Sequence, residues 1–226
     1  MKTVVVLKGG MSDERTISLQ TGEGVARALI QAGYRVFSYD VTPDISALVR
    51  FLNETKPDAV FNALHGRYGE DGCIQGMLEM MRLPYTHSGV LASALAMDKE
   101  RAKQMVSTLG IAVPKTKRVT RQDSCDGFEF SFPYVVKPND SGSSVGVFLV
   151  FNEADRARML DVLSDNVLYL MEDYIPGREL SVAVTDAGAL GIVEIIPKDG
   201  FYDFSHKYTA GTALHVVPAP IPEQDS

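Results

Sequence analysis

Val135-Val136-Lys137-Pro138-Asn139-Asp140-Ser141-Gly142-Ser143-Ser144-Val145-Gly146-Val147 is the stretch on which the reading of the chain turns. The apolar residues 134–136 predict a buried strand that ends on a lysine. Pro138 has no N–H to donate and stops the ladder. A loop of small residues follows, and residues 145–151 predict the returning strand. The N–H groups of such a loop can surround an anion, and Lys137 adds positive charge at its edge. Two readings fit: a phosphate-binding loop, or an ordinary polar hairpin loop. It is not the common phosphate loop, in which Gly-x-x-x-x-Gly-Lys-Ser/Thr runs into a helix. Here the lysine precedes the glycines.

Working outward to the N-terminal side, residues 3–7 predict a first strand, and Gly9-Gly10 a sharp turn. Ser12 or Asp13 can cap a helix with Glu14 in its first turn. Ile17, Val25, Leu29 and Ile30 mark its buried side, and Gly33 ends it. A second strand at 35–39, a helix after Pro43-Asp44 and a third strand at 58–64 complete a βαβαβ order, hence a parallel sheet with crossover helices. Ligands gather at the carboxyl ends of such strands. Residues 9–14 and 65–72 fall there. By itself Glu14 reads as a helix-start carboxylate and His65 as a loop histidine; their shared position turns both toward function. Gly22-Glu23-Gly24 lies inside a helix and lacks a third glycine, which argues against a dinucleotide fingerprint.

Helices are predicted at 71–82, 90–96 and 98–109, the last capped by Asp98. Beyond a boundary near Leu95 the pattern becomes α+β: a strand at 116–119, the opening hairpin, a helix at 153–163, a strand at 167–171, and a hairpin of 180–184 with 190–196. Residues 201–211 form a long, aromatic, polar loop with the character of a lid. The division expected is 1–95, 96–174 and 175–226.

A chain of 226 residues with net charge −7 carries no broad basic footprint for nucleic acid. Cys73 and Cys125 have no metal-type spacing and fit a reducing compartment. No apolar run is long enough to span a bilayer, and the first strand is too short for a signal-peptide core. A soluble cytoplasmic protein without nucleic-acid or membrane partners is expected.

In this order and at these intervals, several stretches resemble the D-alanine–D-alanine ligase family of the ATP-grasp superfamily, along essentially the whole chain. They are Gly9-Gly10-x-Ser12-x-Glu14-Arg15, Ala63-Leu64-His65-Gly66, Gly69-Glu70-Asp71-Gly72-x-x-Gln75-Gly76, Pro84-Tyr85-Thr86-x-Ser88-Gly89 and residues 93–99. Val136-Lys137-Pro138, Gly142-Ser143-Ser144-Val145-Gly146 and Lys207-Tyr208 complete the set.

The resemblance implies an α/β fold, with a parallel N-terminal domain before an ATP-grasp domain that is incomplete here. It implies ATP-dependent joining of two D-alanines through an acyl phosphate, for peptidoglycan synthesis. It assigns Lys99 and Lys137 to the ATP phosphates, and Ser143, Ser144 and Val145 to the loop over them. Glu172 and the backbone of Asp173 and Ile175 match the adenine segment, and Glu179 the ribose glutamate. Glu14 matches the carboxylate that receives the first D-alanine's ammonium, with His65 beside that substrate. Ser143 and Tyr208 match partners of Glu14 in a hydrogen-bonded triad, and Lys207 a lysine near the γ-phosphate.

A homodimer through the first domain, and Mg2+ or Mn2+ alongside ATP, are also implied. The family's metal ligands include a late Glu-x-Asn, which occurs nowhere in this sequence. The ligands are therefore expected beyond Ser226, in a longer enzyme, and this chain alone is expected to be inactive. Tyr208 favours the dipeptide enzyme over a D-alanyl-D-lactate type. A related carboxylate–amine ligase and a non-catalytic nucleotide-binding module are the alternatives.

Overall fold

The computed structural model describes residues 1–125, 130–198, 200, 207–209 and 211–222. Residues 201–206 and 210, read above as part of a lid, lie outside the described residues. The chain divides into two compact units. The first is Met1–Val113 with Asn139–Gly142, the second Pro114–Pro138 with Ser143–Ser226.

The first unit contains β1 (Thr3–Gly9), α1 (Arg15–Gln31), β2 (Arg35–Val41), α2 (Ile45–Thr55) and β3 (Ala59–Asn62). After them come α3 (Cys73–Met80), α4 (Val90–Met97) and α5 (Lys99–Ser107). The sheet has the order β2-β1-β3, with both pairings parallel. As the middle strand, β1 is covered on both faces, which is why Val5, Val6 and Leu7 form a continuous apolar run. On one face Leu48 and Leu52 of α2 join Val5, Leu7, Val60, Ile74 and Leu78 in the core.

On the other face α1 differs in part from the sequence reading. Its buried positions are Ser18, Gly22 and Ala26, one residue per turn, while Ile30 is exposed. Small side chains let the helix axis come close to the branched residues of β1. Val25 and Leu29, expected on this side, pack partly buried against the cluster of Val6, Ala26 and Ala63. Helix α3 is shorter than its apolar spacing implies. The Asp71 carboxylate accepts from the N–H groups of Tyr68 (2.8 Å) and Cys73 (3.1 Å), and this turn precedes the helix. Asp98 caps α5 as expected, accepting from Arg101 N–H at 3.0 Å.

The second unit begins with β4 (Thr116–Val119), α6 (Arg121–Cys125), β5 (Tyr134–Pro138), β6 (Phe148–Val150), α7 (Glu153–Val162) and β7 (Tyr169–Asp173). β8 (Glu179–Thr185), β9 (Gly188–Pro197) and β10 (Ala213–Val216) follow. One antiparallel sheet runs β4-β7-β5-β6, and a second runs β10-β9-β8. Tyr134 and Val136 of β5 point into a core with Met171, Val150 and Met159. The return strand β6 is shorter than 145–151 because Ser143, Ser144 and Gly146 take positive φ values of 50°, 61° and 69°, which holds 143–146 in a turn. Among the described residues, no helix is long and apolar enough to cross a membrane.

Candidate functional site

In the first unit the loops leaving β1 and β3 are tied together. Ser12 Oγ donates to the His65 carbonyl at 2.7 Å and accepts from Glu14 N–H at 3.3 Å. Arg15 holds Asp40 through two bonds of 2.8 and 2.7 Å. Glu14 therefore stands immediately before α1, not inside its first turn, and its side chain makes no cap bond. It is only 5% exposed. Bare backbone presses on its carboxylate. A Cβ at Gly66 would lie 2.9 Å from Oε2, and one at Gly142 would lie 3.0 Å from it.

His65 is half-buried, with Nε2 3.3 Å from Thr21 Oγ1 and Nδ1 3.9 Å from Glu70 Oε1. At that distance the Glu70 contact is electrostatic. Facing Glu70 raises the imidazolium pKa above its ordinary value; burial opposes this, and the Glu14 charge adds to it. Burial alone would raise the Glu70 carboxyl. His65 and the Gly66 N–H, which donates to it at 2.7 Å, outweigh burial and bring it below the usual range. A cavity of about 340 Å³ is lined by His65, Glu70, Asn62, Gln75 and His87. Buried Asn62 and Gln75 both donate to the Gly69 carbonyl, at 2.8 and 2.9 Å, and so fix the loop between β3 and α3.

Lys99 also belongs to the first unit. Its Nζ donates to the carbonyls of Asn139 and Ser141, the former at 3.3 Å.

In the second unit the face of the β5–β7 pair opposite the core carries charge. Val135 stands opposite Glu172, so Lys137, two residues on, is the diagonal neighbour of Glu172 on the same face. Lys137 Nζ lies 2.7 Å from Glu172 Oε2, and the Glu172 side chain is 5% exposed. Ser143 Oγ and Tyr208 Oη are 2.6 Å apart, and Ser144 and Val145 complete the same turn.

A cavity of about 820 Å³, large enough for a nucleotide, is lined by Leu149, Tyr174, Ile175, Arg178, Glu179 and Glu194 among others. Burial raises the Glu179 carboxyl, and the charge of Lys207 opposes the shift. Arg178 grips Glu194 with two bonds of 2.6 Å. The Asp173 N–H donates to the Lys115 carbonyl at 3.1 Å.

The family description "D-ala D-ala ligase C-terminus" matches residues 105–226, and "D-ala D-ala ligase N-terminus" matches 48–88. The D-alanine–D-alanine ligase of Paramagnetospirillum magneticum is 49% identical over 224 residues, covering 99% of this chain and 73% of that protein. The chain belongs to the D-alanine–D-alanine ligase family. The structure agrees: the ligase from Bacillus anthracis superimposes with a TM-score of 0.81 at 30% identity, over 99% of this chain and 74% of the other. The same enzyme complexed with ATP gives 0.77 at 27% identity, over 98% and 72%. The α/β class with an ATP-grasp portion is thus the fold of the family, and this chain spans about three quarters of its relatives' length.

Sequence reasoning assigned no role to several groups that the structure puts beside the family's landmarks. Glu70 and Arg15 stood inside quoted stretches, but only the folded chain shows them facing His65 and Asp40. Arg178 and Glu194 are 16 residues apart and meet through the hairpin register. Among the described residues, no group of three or more His, Cys, Asp or Glu side chains could hold a metal ion.

Proposed function

We propose that this chain carries the first-substrate and nucleotide elements of an ATP-dependent D-alanine–D-alanine ligase that makes D-alanyl-D-alanine for peptidoglycan precursors. The observation that carries the nucleotide assignment is Lys137, held 2.7 Å from buried Glu172 near the end of β5. A lysine anchored in this way keeps its ammonium in place on the strand that leads into the turn, where the backbone of Ser143, Ser144 and Val145 can meet phosphate oxygens. The cavity bounded by Ile175 and Glu179 takes adenine and ribose. The Asp173 N–H is engaged by Lys115, so an adenine contact by Asp173 falls to its carbonyl. Lys99 and Lys207 supply further positive charge to the phosphates.

The reaction has two steps. A carboxylate oxygen of the first D-alanine attacks the γ-phosphorus, forming an acyl phosphate and releasing ADP. The amine of the second D-alanine then attacks the acyl carbon, releasing phosphate. Transfer of this kind needs positioning and charge neutralisation more than covalent help from protein. Glu14 receives the ammonium of the first D-alanine, in a space kept narrow by Gly66 and Gly142. His65, whose raised pKa favours the charged form, stands beside that substrate. Ser143 and Tyr208, joined by their hydroxyls, hold the turn in its closed shape. Magnesium, which the family uses with ATP, screens the phosphate charge when bound.

The functional divisions are 1–95 for the first substrate and dimerisation, 96–174 for the central ATP-grasp part and 175–226 for the incomplete catalytic part of the ATP-grasp domain. The enzyme acts in the cytoplasm, where ATP is available. It pairs as a homodimer through its first unit, whose exposed Met80 and Leu91 offer apolar surface. D-alanine-dependent phosphate release from ATP, with product analysis against D-lactate and L-alanine, tests the activity. Phosphate release that is indifferent to D-alanine would overturn it, and preferential D-lactate incorporation would reassign it to the depsipeptide class.

A further inference from the structure

Asn139 sits in the most polar loop of the chain and yet is only 5% exposed. It is bound to the start of α5 through both its backbone and its side chain. Its carbonyl accepts from the Lys99 N–H at 3.1 Å and from Lys99 Nζ at 3.3 Å. Its side-chain Oδ1 accepts from the Glu100 N–H at 3.0 Å. Burial alone would raise the Asp98 carboxyl; a hydrogen bond from the Asn139 amide is among the contacts that bring it below its usual range instead. Three consecutive residues, Asp98, Lys99 and Glu100, are thus met by one side chain and one carbonyl from about 40 residues away.

The first N–H groups of a helix have no partner within it, and here an asparagine from outside supplies one. A primary amide can both accept from Glu100 N–H and donate to Asp98, which an ionised carboxylate cannot. Asn139–Gly142 accordingly belongs to the first unit.

We propose that Asn139 is a positioning residue for ATP. It fixes 139–142 on the first turn of α5, and so sets where the Lys99 ammonium stands, against the Asn139 and Ser141 carbonyls. The proposal rests on the reading of Lys99 as a phosphate ligand.

Asn139→Asp replaces the donor to Asp98 with an acceptor and sets two carboxylates together, next to Lys99, Glu100 and Asp140. At neutral pH the Michaelis constant for ATP is expected to rise about tenfold, with that for the first D-alanine within twofold of wild type. As pH falls, the introduced carboxyl takes up a proton and donates as the amide did, so activity relative to wild type recovers. Asn139→Ala shows the ATP defect without the recovery. An unchanged ATP constant in both variants, an equal rise for D-alanine, or failure of both to fold would each overturn the proposal. Lys99→Met separates the premise: a wild-type ATP constant there removes the Lys99 reading itself. A defect in Lys99→Met with normal Asn139 variants removes only the positioning role.

Discussion

The molecule has two nearly buried glutamates at its candidate sites, Glu14 in the first unit and Glu172 in the second, 5% and 3% exposed. Their surroundings differ. Glu172 faces a full positive charge, Lys137, across two hydrogen-bonded strands. Glu14 acts on the charge of His65 and has bare backbone close by, where a Cβ at Gly66 would lie 2.9 Å and one at Gly142 3.0 Å from its Oε2. A site built on charge pairing should fail when a charge is removed. One with bare backbone close by should fail when an atom is added.

Removing the charge at Lys137 should have the largest effect. In Lys137→Ala the phosphates lose a charge-assisted contact of about 1.5–3 kcal/mol, or roughly ten- to 150-fold in nucleotide affinity. Glu172 is also left buried without this partner, so thermal stability falls as well. The double variant Lys137→Ala/Glu172→Gln separates the two losses, since it should regain stability but not ATP affinity. Unchanged ATP Michaelis constant and turnover in the single variant would remove Lys137 from the site.

Adding one methyl group tests the other unit. Gly66 has φ +64°, and a Cβ there meets Glu14 Oε2 at 2.9 Å and Ser12 Cβ at 3.1 Å. Gly66→Ala should destabilise by about 1–2 kcal/mol from the left-handed backbone alone. It should also raise the Michaelis constant for the first D-alanine by displacing Glu14. Gly24→Ala, inside α1 with nothing within 4 Å, should instead stabilise by about 0.5–1 kcal/mol. Equal melting temperatures for the two variants would dismiss the claim that a Cβ at Gly66 crowds Glu14.

Glu14→Gln keeps the shape and removes the charge. The loss should be about 1 kcal/mol, the difference between a charged and a neutral hydrogen bond, or about fivefold in the first D-alanine's Michaelis constant. ATP affinity should hardly move. A loss of ATP affinity with D-alanine affinity intact would exchange the two assignments.

The same contrast explains what could be read from sequence. Strand runs were legible because β1, β5 and β7 bury continuous or alternating apolar residues, and the cap at Asp98 because it is local. The contact face of α1 was legible in part. Apolar periodicity finds Val25 and Leu29, which pack against the core cluster, and also Ile30, which is exposed; close approach to β1 selects Ser18, Gly22 and Ala26, which it misses. The length of β6 depends on left-handed serines, which composition does not announce. Lys137 and Glu14 were visible as residue types at strand ends. Their partners were not, because Glu172 is found by strand register and Gly142 by tertiary approach. Asn139 reads as one more loop residue until α5 is placed against it.

The smallest effect expected is also diagnostic for the first unit, because His65 and Glu70 are a charge pair beside Glu14. Glu70 raises the pKa of His65, and a group raised above its unfolded value stabilises the fold fully below that unfolded value, near 6.5 for histidine. The contribution disappears as pH climbs through the folded value. Glu70 is shifted the other way, so its contribution is present above the ordinary carboxylate range and is lost as pH falls through its lowered value. The pair therefore helps most in the acid window between those limits and fades as pH passes neutrality. Glu70→Gln should lower the His65 titration midpoint, followed by NMR of the ring Cε1 proton, and flatten stability as pH climbs from the ordinary histidine value through the raised one. Both changes should be small, because the Glu70 side chain is 49% exposed and the ring nitrogen lies 3.9 Å away. The loop itself should loosen slightly, since a neutral amide oxygen accepts the Gly66 N–H less strongly than the carboxylate does at 2.7 Å. If the midpoint stays where it was, Glu70 acts on Gly66 and not on His65.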